Sequence, residues 1–442
     1  ATGGTVLVPP VTPGQGYVLT RTVRVPRSVA LVGSLAGLTN NSWSAYDLPD
    51  SNVVGCKVFA RPAPDQWQQE AKAPLFWLEG GCTVRGLFIL YDEQPWPSDE
   101  QFHDPASPFY YESFEVAREG FERDHVKPYG PTFYADFGTN IVLEDLQCDR
   151  YYDFLYFRQA GRCWINRIAL YGYKRGFTFQ EIPDVVRIQG IHMVPNVGPA
   201  CPGPTGPGRT YTWIYALCAS DPEQIGYQFG NYDGLTLMDL TCFGMHTGIQ
   251  FGASKAFPVH NPVENVDCYW DEESGKPVGF RGNYAPGTGP WGAITDLKLD
   301  QVCVGLHFVW PSPLTVRLTN CLIFPAFDDG QDFEVAGGSG NLTGVARQAA
   351  FLVEPTYSAK FSGGFKPVVM GNNVVLASFN DSGRFAPASA DCRTSNGRAF
   401  LLGGDVTMDL TGLQLYIPYG EDLLWARGPA STEASVKLRG FI

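Results

Sequence analysis

Charge is scarce in this chain of 442 residues, where Asp, Glu, Lys and Arg together make up 17%. What charge there is leans acidic, to a net −13 and an isoelectric point near 4.9. Without a basic face there is no electrostatic footprint for phosphate, so neither nucleic acid nor an anionic membrane is expected as a partner. No apolar run approaches the roughly 18 residues that span a bilayer, and membrane insertion is not expected. Also missing are a Walker loop, a Gly-x-Ser-x-Gly elbow and a His-Glu-x-x-His pair, which removes the commonest nucleotide, serine-hydrolase and zinc-protease signatures. The eleven cysteines are odd in number and include no C-x-x-C pair. Zinc spacing is therefore absent, and neither a metal nor a cofactor is expected. Most of these cysteines read as buried thiols, with Cys201–Cys218 the one local disulfide to consider. The chain opens on Ala without a recognisable signal peptide, so it is expected to be a trimmed product whose export route is hidden.

What the chain does have is a repeat. Leu143-Glu144-Asp145-Leu146-Gln147-Cys148 followed by Leu155-Tyr156-Phe157 recurs 22 residues later as Ile165-Asn166-Arg167-Ile168-Ala169-Leu170 followed by Phe177-Thr178-Phe179. Each unit reads as two short strands with a bend inside the first. An anchor column runs Val84, Leu143, Ile165, Ile188, Leu237, Val263, Ile294, Leu318 and Leu410. Two residues on, the column is Gly86, Asp145, Arg167, Gly190, Asp239, Asn265, Asp296, Asn320 and Gly412, almost all residues that tolerate unusual backbone angles. Five residues on it is apolar, Cys148, Cys242 and Cys268 included, and Phe157, Phe179, Phe251 and Phe308 share a later column. A unit that cannot bury its apolar side alone must stack, which predicts an all-β, parallel β-helix (solenoid) with loop insertions as one domain over 1–442.

The opening residues, Gly3-Gly4-Thr5-Val6 to Pro9-Pro10, Tyr17, Thr22 to Pro26 and Leu31-Val32-Gly33, resemble the first coils of the pectate-lyase-like superfamily. That resemblance implies a right-handed parallel β-helix acting on or binding polysaccharide, as in polysaccharide lyases, glycoside hydrolases and the tail spikes of bacteriophages. It further implies an extracellular or virion-surface setting and, for the tail-spike branch, a homotrimer. Such relatives often begin with a capping helix; this chain is expected to start after that point, its cap missing or supplied otherwise. Of the motifs of polygalacturonase relatives only Asp328-Asp329 is present, outside any recognisable coil. The insertion at 92–131 is rich in Pro, aromatics and acids, with a short helix expected over 112–124. A second insertion at 195–225 carries an expected aromatic strand, Tyr211-Thr212-Trp213, and the part 328–442 reads as less regular.

The segment joining the two strands of each coil falls on one long edge of the prism. It offers Asp149-Arg150-Tyr151-Tyr152-Asp153 in one coil and Tyr171-Gly172-Tyr173-Lys174-Arg175 in the next, then His246, and later Trp270, Asp271 and Glu272. Aromatic faces beside carboxylates and cations suit a sugar polymer, whose CH-rich rings stack while hydroxyls and uronates take hydrogen bonds. Coils about 4.8 Å apart could bring acids to the roughly 5–10 Å separations of glycosidase pairs. Asp149 and Asp153 are then candidate hydrolase acids, and Lys174, Arg175 or Tyr173 candidate groups for neutralising a uronate and removing its C5 proton. Tyr151, Tyr152, Tyr173, His246, Trp270, Asp271 and Glu272 are the candidate binding residues. The plainer alternative for the patch is a salt-bridged turn, Asp149 or Asp153 with Arg175. Outward residues of the second strand, Tyr156, Thr178, Gln228, Gln250, Gly279 and His307, form an alternative polar face. Asp145, Asp239 and Asp296 read as bend formers. Hydrolase, lyase and non-catalytic adhesive protein all stay open at this point.

Overall fold

The computed structural model describes residues 3–12, 15–34, 55–68, 72–194, 213–230, 232–253, 259–264, 266–267, 270–271, 276–277, 291–309, 315–325, 348–354, 368–377, 398–404, 406–416, 424–426 and 434–441. They form a parallel β-helix with loop insertions. A 15-stranded and an 11-stranded sheet run the length of the chain, and each coil adds one rung to both. Leu143, Ile165, Ile188, Leu237, Ile294 and Leu318 pair in register from coil to coil, and none is more than 1% exposed. The aromatic column stacks inside the second sheet: Phe157 to Phe179 at 5.9 Å, Phe179 to Phe229 at 5.5 Å, Phe229 to Phe251 at 6.0 Å and Phe251 to Phe308 at 5.2 Å between ring centroids.

The bend column is where the backbone is most constrained. Asp145, Arg167, Asp239, Asp296, Asn320 and Asn373 all have φ between 51° and 55°, and Gly86, Gly190 and Gly412 lie at 63° to 71°. Asp and Asn tolerate this left-handed region because their short side chains bond locally. Here they bond along the column: Asn320 donates to Asp296 at 3.2 Å and Asn373 donates to Asn320 at 2.8 Å. Arg167 is the exception in kind, and its guanidinium is tied to Asp145 by contacts of 2.6 and 2.9 Å.

Two readings of the repeat need correction. No coil is anchored at Val263, because His260–Asn261 pairs antiparallel with Val266–Asp267, and Tyr232–Phe243 is followed on the sheet by Trp291–Val302. Conversely a coil at Val368–Ala377 does not show in the apolar pattern, because Gly371 stands in its anchor position, beside Leu318 and Leu410. The described strands from Ala349 to Phe441 continue both sheets.

The first insertion holds two helices, α1 (Asp99–His103) and α2 (Phe114–His125). Ser98 and Gln101 close a capping box on α1, and the Ser113 side chain caps α2 by accepting from the Val116 amide. In the second insertion Trp213 begins a helix, α3 (Trp213–Ala219), and not the expected strand; Tyr211 and Thr212 lie outside the described residues. Phe114, Ala117 and Phe121 of α2 meet Ile214, Leu217 and Cys218 of α3 over Tyr173, so the two insertions share one small apolar core on the flank of the solenoid. The eight described cysteines are all buried free thiols, Cys218 among them; Cys201 lies outside the described residues.

Candidate functional site

The densest patch read from the sequence is assembled as expected and then covered. Asp149, Asp153, Lys174 and Arg175 are 3% to 7% exposed, Tyr151 is fully buried and Tyr173 nearly so, beneath the two insertions. Lys174 Nζ meets Glu122 of α2 at 2.5 Å, Asp221 just past α3, and Glu223 at 3.5 Å. Burial pulls the Lys174 pKa down, but Asp221, Glu122 and Glu223 outweigh it and hold it above its usual value. It stays protonated, and with three carboxylate contacts it is neither a free base nor a cation offered to solvent. Arg175 meets Asp153 at 3.7 Å and Glu223 at 3.9 Å, which is the plainer salt-bridged alternative. Tyr152 donates to Glu122 at 2.8 Å, Tyr173 donates to the Pro95 carbonyl, and Gln147 donates to Asp149 at 3.1 Å. The Tyr152, Tyr173 and Lys174 contacts anchor the insertions to the coil, and burial keeps Asp149, Asp153, Lys174 and Arg175 out of reach of a polymer in solution.

His246 is 1% exposed, with its Nδ1 3.0 Å from Thr247 Oγ1. Trp270–Asp271 pairs antiparallel with Lys276–Pro277, and Glu272 lies outside the described residues. The alternative polar face is closed as well: Tyr156, Thr178, Gln228, Gln250 and His307 are each at most 2% exposed. Tyr134 and Tyr156 pack under Ala253 and Val259, and His307 Nε2 lies 2.8 Å from Glu354. Gly279 is outside the described residues.

An open hollow occurs instead on the outer face of the long sheet, at the bend column. Three neighbouring positions make room for it. Arg167 is drawn away by Asp145, the next rung is Gly190, and Ala169 is small. The result is a groove of about 550 Å³ bordered by Asn166, Gln189, His192, Asp239 and Thr241. Burial lowers the pKa of His192, Lys298 on a nearby coil lowers it further, and Asp239 partly offsets both. The imidazole is thereby held neutral at neutral pH, able to donate from one nitrogen and accept at the other. Beyond one end of the groove, on other rows of the same face, stand two exposed indoles: Trp164 at 41%, on the strand that also carries Asn166 and Ala169, and Trp291 at 47%, on the strand next to that of Asp239 and Thr241. Asp239 and Asp296 are lateral neighbours, because Met238 pairs with Thr295 and Leu240 with Leu297. The bend column was legible in the sequence; the missing side chain at Gly190 was the signal for the hollow.

No protein-family model matches the chain, and no curated protein does. Among solved structures, a mutant DFA-IIIase from Arthrobacter chlorophenolicus A6, in complex with DFA-III, is similar at 10% identity and a TM-score of 0.33, over 98% of this chain and 77% of that one. The catalytic unit of a GH87 alpha-1,3-glucanase from Streptomyces thermodiastaticus strain HF3-3 is similar at 10% identity and a TM-score of 0.23, over 90% of this chain and 65% of that one. Likeness at this distance carries no function across.

Proposed function

We propose that the protein recognises a polysaccharide along the outer face of its long sheet. The observation that carries this reading is the hollow at Gly190, open to solvent and bordered by neutral polar groups together with Arg167 and Asp239. Asn166, Gln189, Thr241 and neutral His192 supply donors and acceptors for sugar hydroxyls. Trp164 and Trp291 stand three coil steps and two residues apart, about 16 Å at the usual strand spacings, as stacking surfaces beside one end of the hollow. A secreted or virion-surface setting, with or without a trimer, is part of the same proposal, and sedimentation mass tests the trimer.

Binding to a panel of neutral, capsular and plant polysaccharides by calorimetry is the direct test. Trp164→Ala and Trp291→Ala should each weaken binding roughly tenfold, the equivalent of about 1.4 kcal/mol. Unchanged binding in both variants would remove the reading.

A hydrolytic version has one supporting observation. Asp239 and Asp296 lie one rung apart, about 4.8 Å along the sheet, near the roughly 5 Å carboxylate spacing of retaining glycosidases. Release of reducing ends that disappears in Asp239→Asn supports hydrolysis, whereas unsaturated products detected by ultraviolet absorbance point to elimination. Binding with neither product leaves an adhesive protein.

A further inference from the structure

A second cavity, of about 340 Å³, lies between α2, α3 and the turn that follows α3. We propose that it binds a protonated primary amine carried on a CH-rich body, such as an amino sugar or an alkylamine. This site is independent of the sheet groove and stands whether or not that groove takes a glycan.

The argument starts from how the cavity is built. One wall is apolar, made by Ala117 and Phe121 of α2, Leu217 of α3 and the Tyr173 ring on the solenoid flank. It offers a flat aromatic and aliphatic surface already part of a packed core, so the pocket has a fixed shape. The opposite side is charged. Among the described residues, the charged ones lining it are the acids Glu119, Glu122 and Asp221 and the base Arg118. The cation behind them, the Lys174 ammonium, is shared among Glu122, Asp221 and Glu223 and is too deep to fill the opening. Each carboxylate can accept about four hydrogen bonds. The bonds shown use Glu122 for Lys174 and Tyr152, and Asp221 for Lys174 and the Glu223 amide. Acceptor capacity therefore remains beside an apolar wall, which suits a ligand with one positive end and one greasy or CH-rich face. Lys174 shows the same chemistry from the protein's own side, an alkyl stem ending in an ammonium among these acids.

The shared feature is the ammonium, and the two sources of it can be separated by experiment. Calorimetry at low salt would compare D-glucosamine and hexylamine with D-glucose and hexanol, using the full chain. Both amines, or one of them, should bind at least tenfold more tightly than the matching neutral compound, and added salt should weaken the binding. Preference for glucosamine assigns the site to amino sugars, and preference for hexylamine to alkylamines. Glu119→Lys reverses an exposed charge at the rim and should abolish amine binding without moving the melting temperature. Ser220→Phe should abolish it by filling the space. Equal affinity for amine and neutral partner, absence of amine binding, or amine binding retained in both variants would overturn the proposal.

Discussion

Filling the hollow with one side chain is the sharpest test of the outer face. In Gly190→Asn the new Cβ would lie 3.5 Å from the Arg167 amide nitrogen and 3.6 Å from Arg167 Cγ and Asn166 Oδ1, which is ordinary contact. The remaining cost is the backbone, since Gly190 has φ 63°. A left-handed conformation costs an L residue about 1–2 kcal/mol, least for Asn, while losing a glycine from the unfolded chain returns about 0.4–1 kcal/mol. The same column already holds Asn320 and Asn373 at φ 53° and 55°. The net change in stability is therefore about 1 kcal/mol or less, a few degrees in melting temperature. Binding should fall by far more, because the amide occupies the space between Arg167 and Asp239. Gly190→Ala is the control: it carries the backbone cost but leaves most of the volume, so it should bind within a few-fold of the parent. Calorimetric titration with the best polysaccharide of the panel reads both. Parent-like binding by folded Gly190→Asn would refute the assignment. Equal losses in both variants would trace the effect to the backbone and not to the filled hollow.

Other expectations follow from the same geometry. Phe179→Ala removes a ring stacked between Phe157 and Phe229 and should destabilise by about 3–5 kcal/mol in urea melts. Lys174→Met leaves Glu122, Asp221 and Glu223 without their shared ammonium; because these carboxylates keep contact with water, the cost should be about 1–3 kcal/mol. Because the folded-state pKa of Lys174 is raised, that contribution is complete at neutral pH. It is lost only as pH climbs beyond about 10.4, the value of a free lysine, and through the folded-state value. A lysine variant as stable as the parent in a thermal melt at pH 7 would contradict this. His192 has the opposite sign. Its pKa is lowered on folding, so the unfolded chain takes up its proton first and stability declines as pH falls through about 6.5. His192→Gln should flatten that slope in melts between about pH 5 and 8; an unchanged slope would place the dependence elsewhere.

The solenoid was legible because its determinants are local in sequence and repeated. Apolar anchors, a left-handed residue two places on and a ring further along each state what one coil needs, and the coils state it in turn. The pattern misleads where a residue's type hides its place. Gly371 offers no apolar side chain, so its coil does not stand out, whereas Val263 imitates the pattern beside residues that pair antiparallel. The site was harder. Asp153, Lys174 and Arg175 are brought together as their spacing implies, yet whether they face solvent depends on helices from two distant insertions. Ser98 and Ser113 mark where α1 and α2 begin, and Phe114, Ala117 and Phe121 give α2 its buried side. Nothing local, however, says which flank that side will cover. Exposure is settled by packing between segments, and a linear pattern does not carry it.

The meeting of α2 and α3 makes the two excursions from the solenoid interdependent. Either one, cut back to a tight turn, would leave its counterpart with a bare greasy surface and would uncover Tyr173, while Lys174 would lose Glu122 in one case or Asp221 in the other. Shortening them together is the simpler change, since only the flank of the coil would then need repair. Although they leave the chain far apart, these two loops should tolerate joint deletion better than the loss of either one.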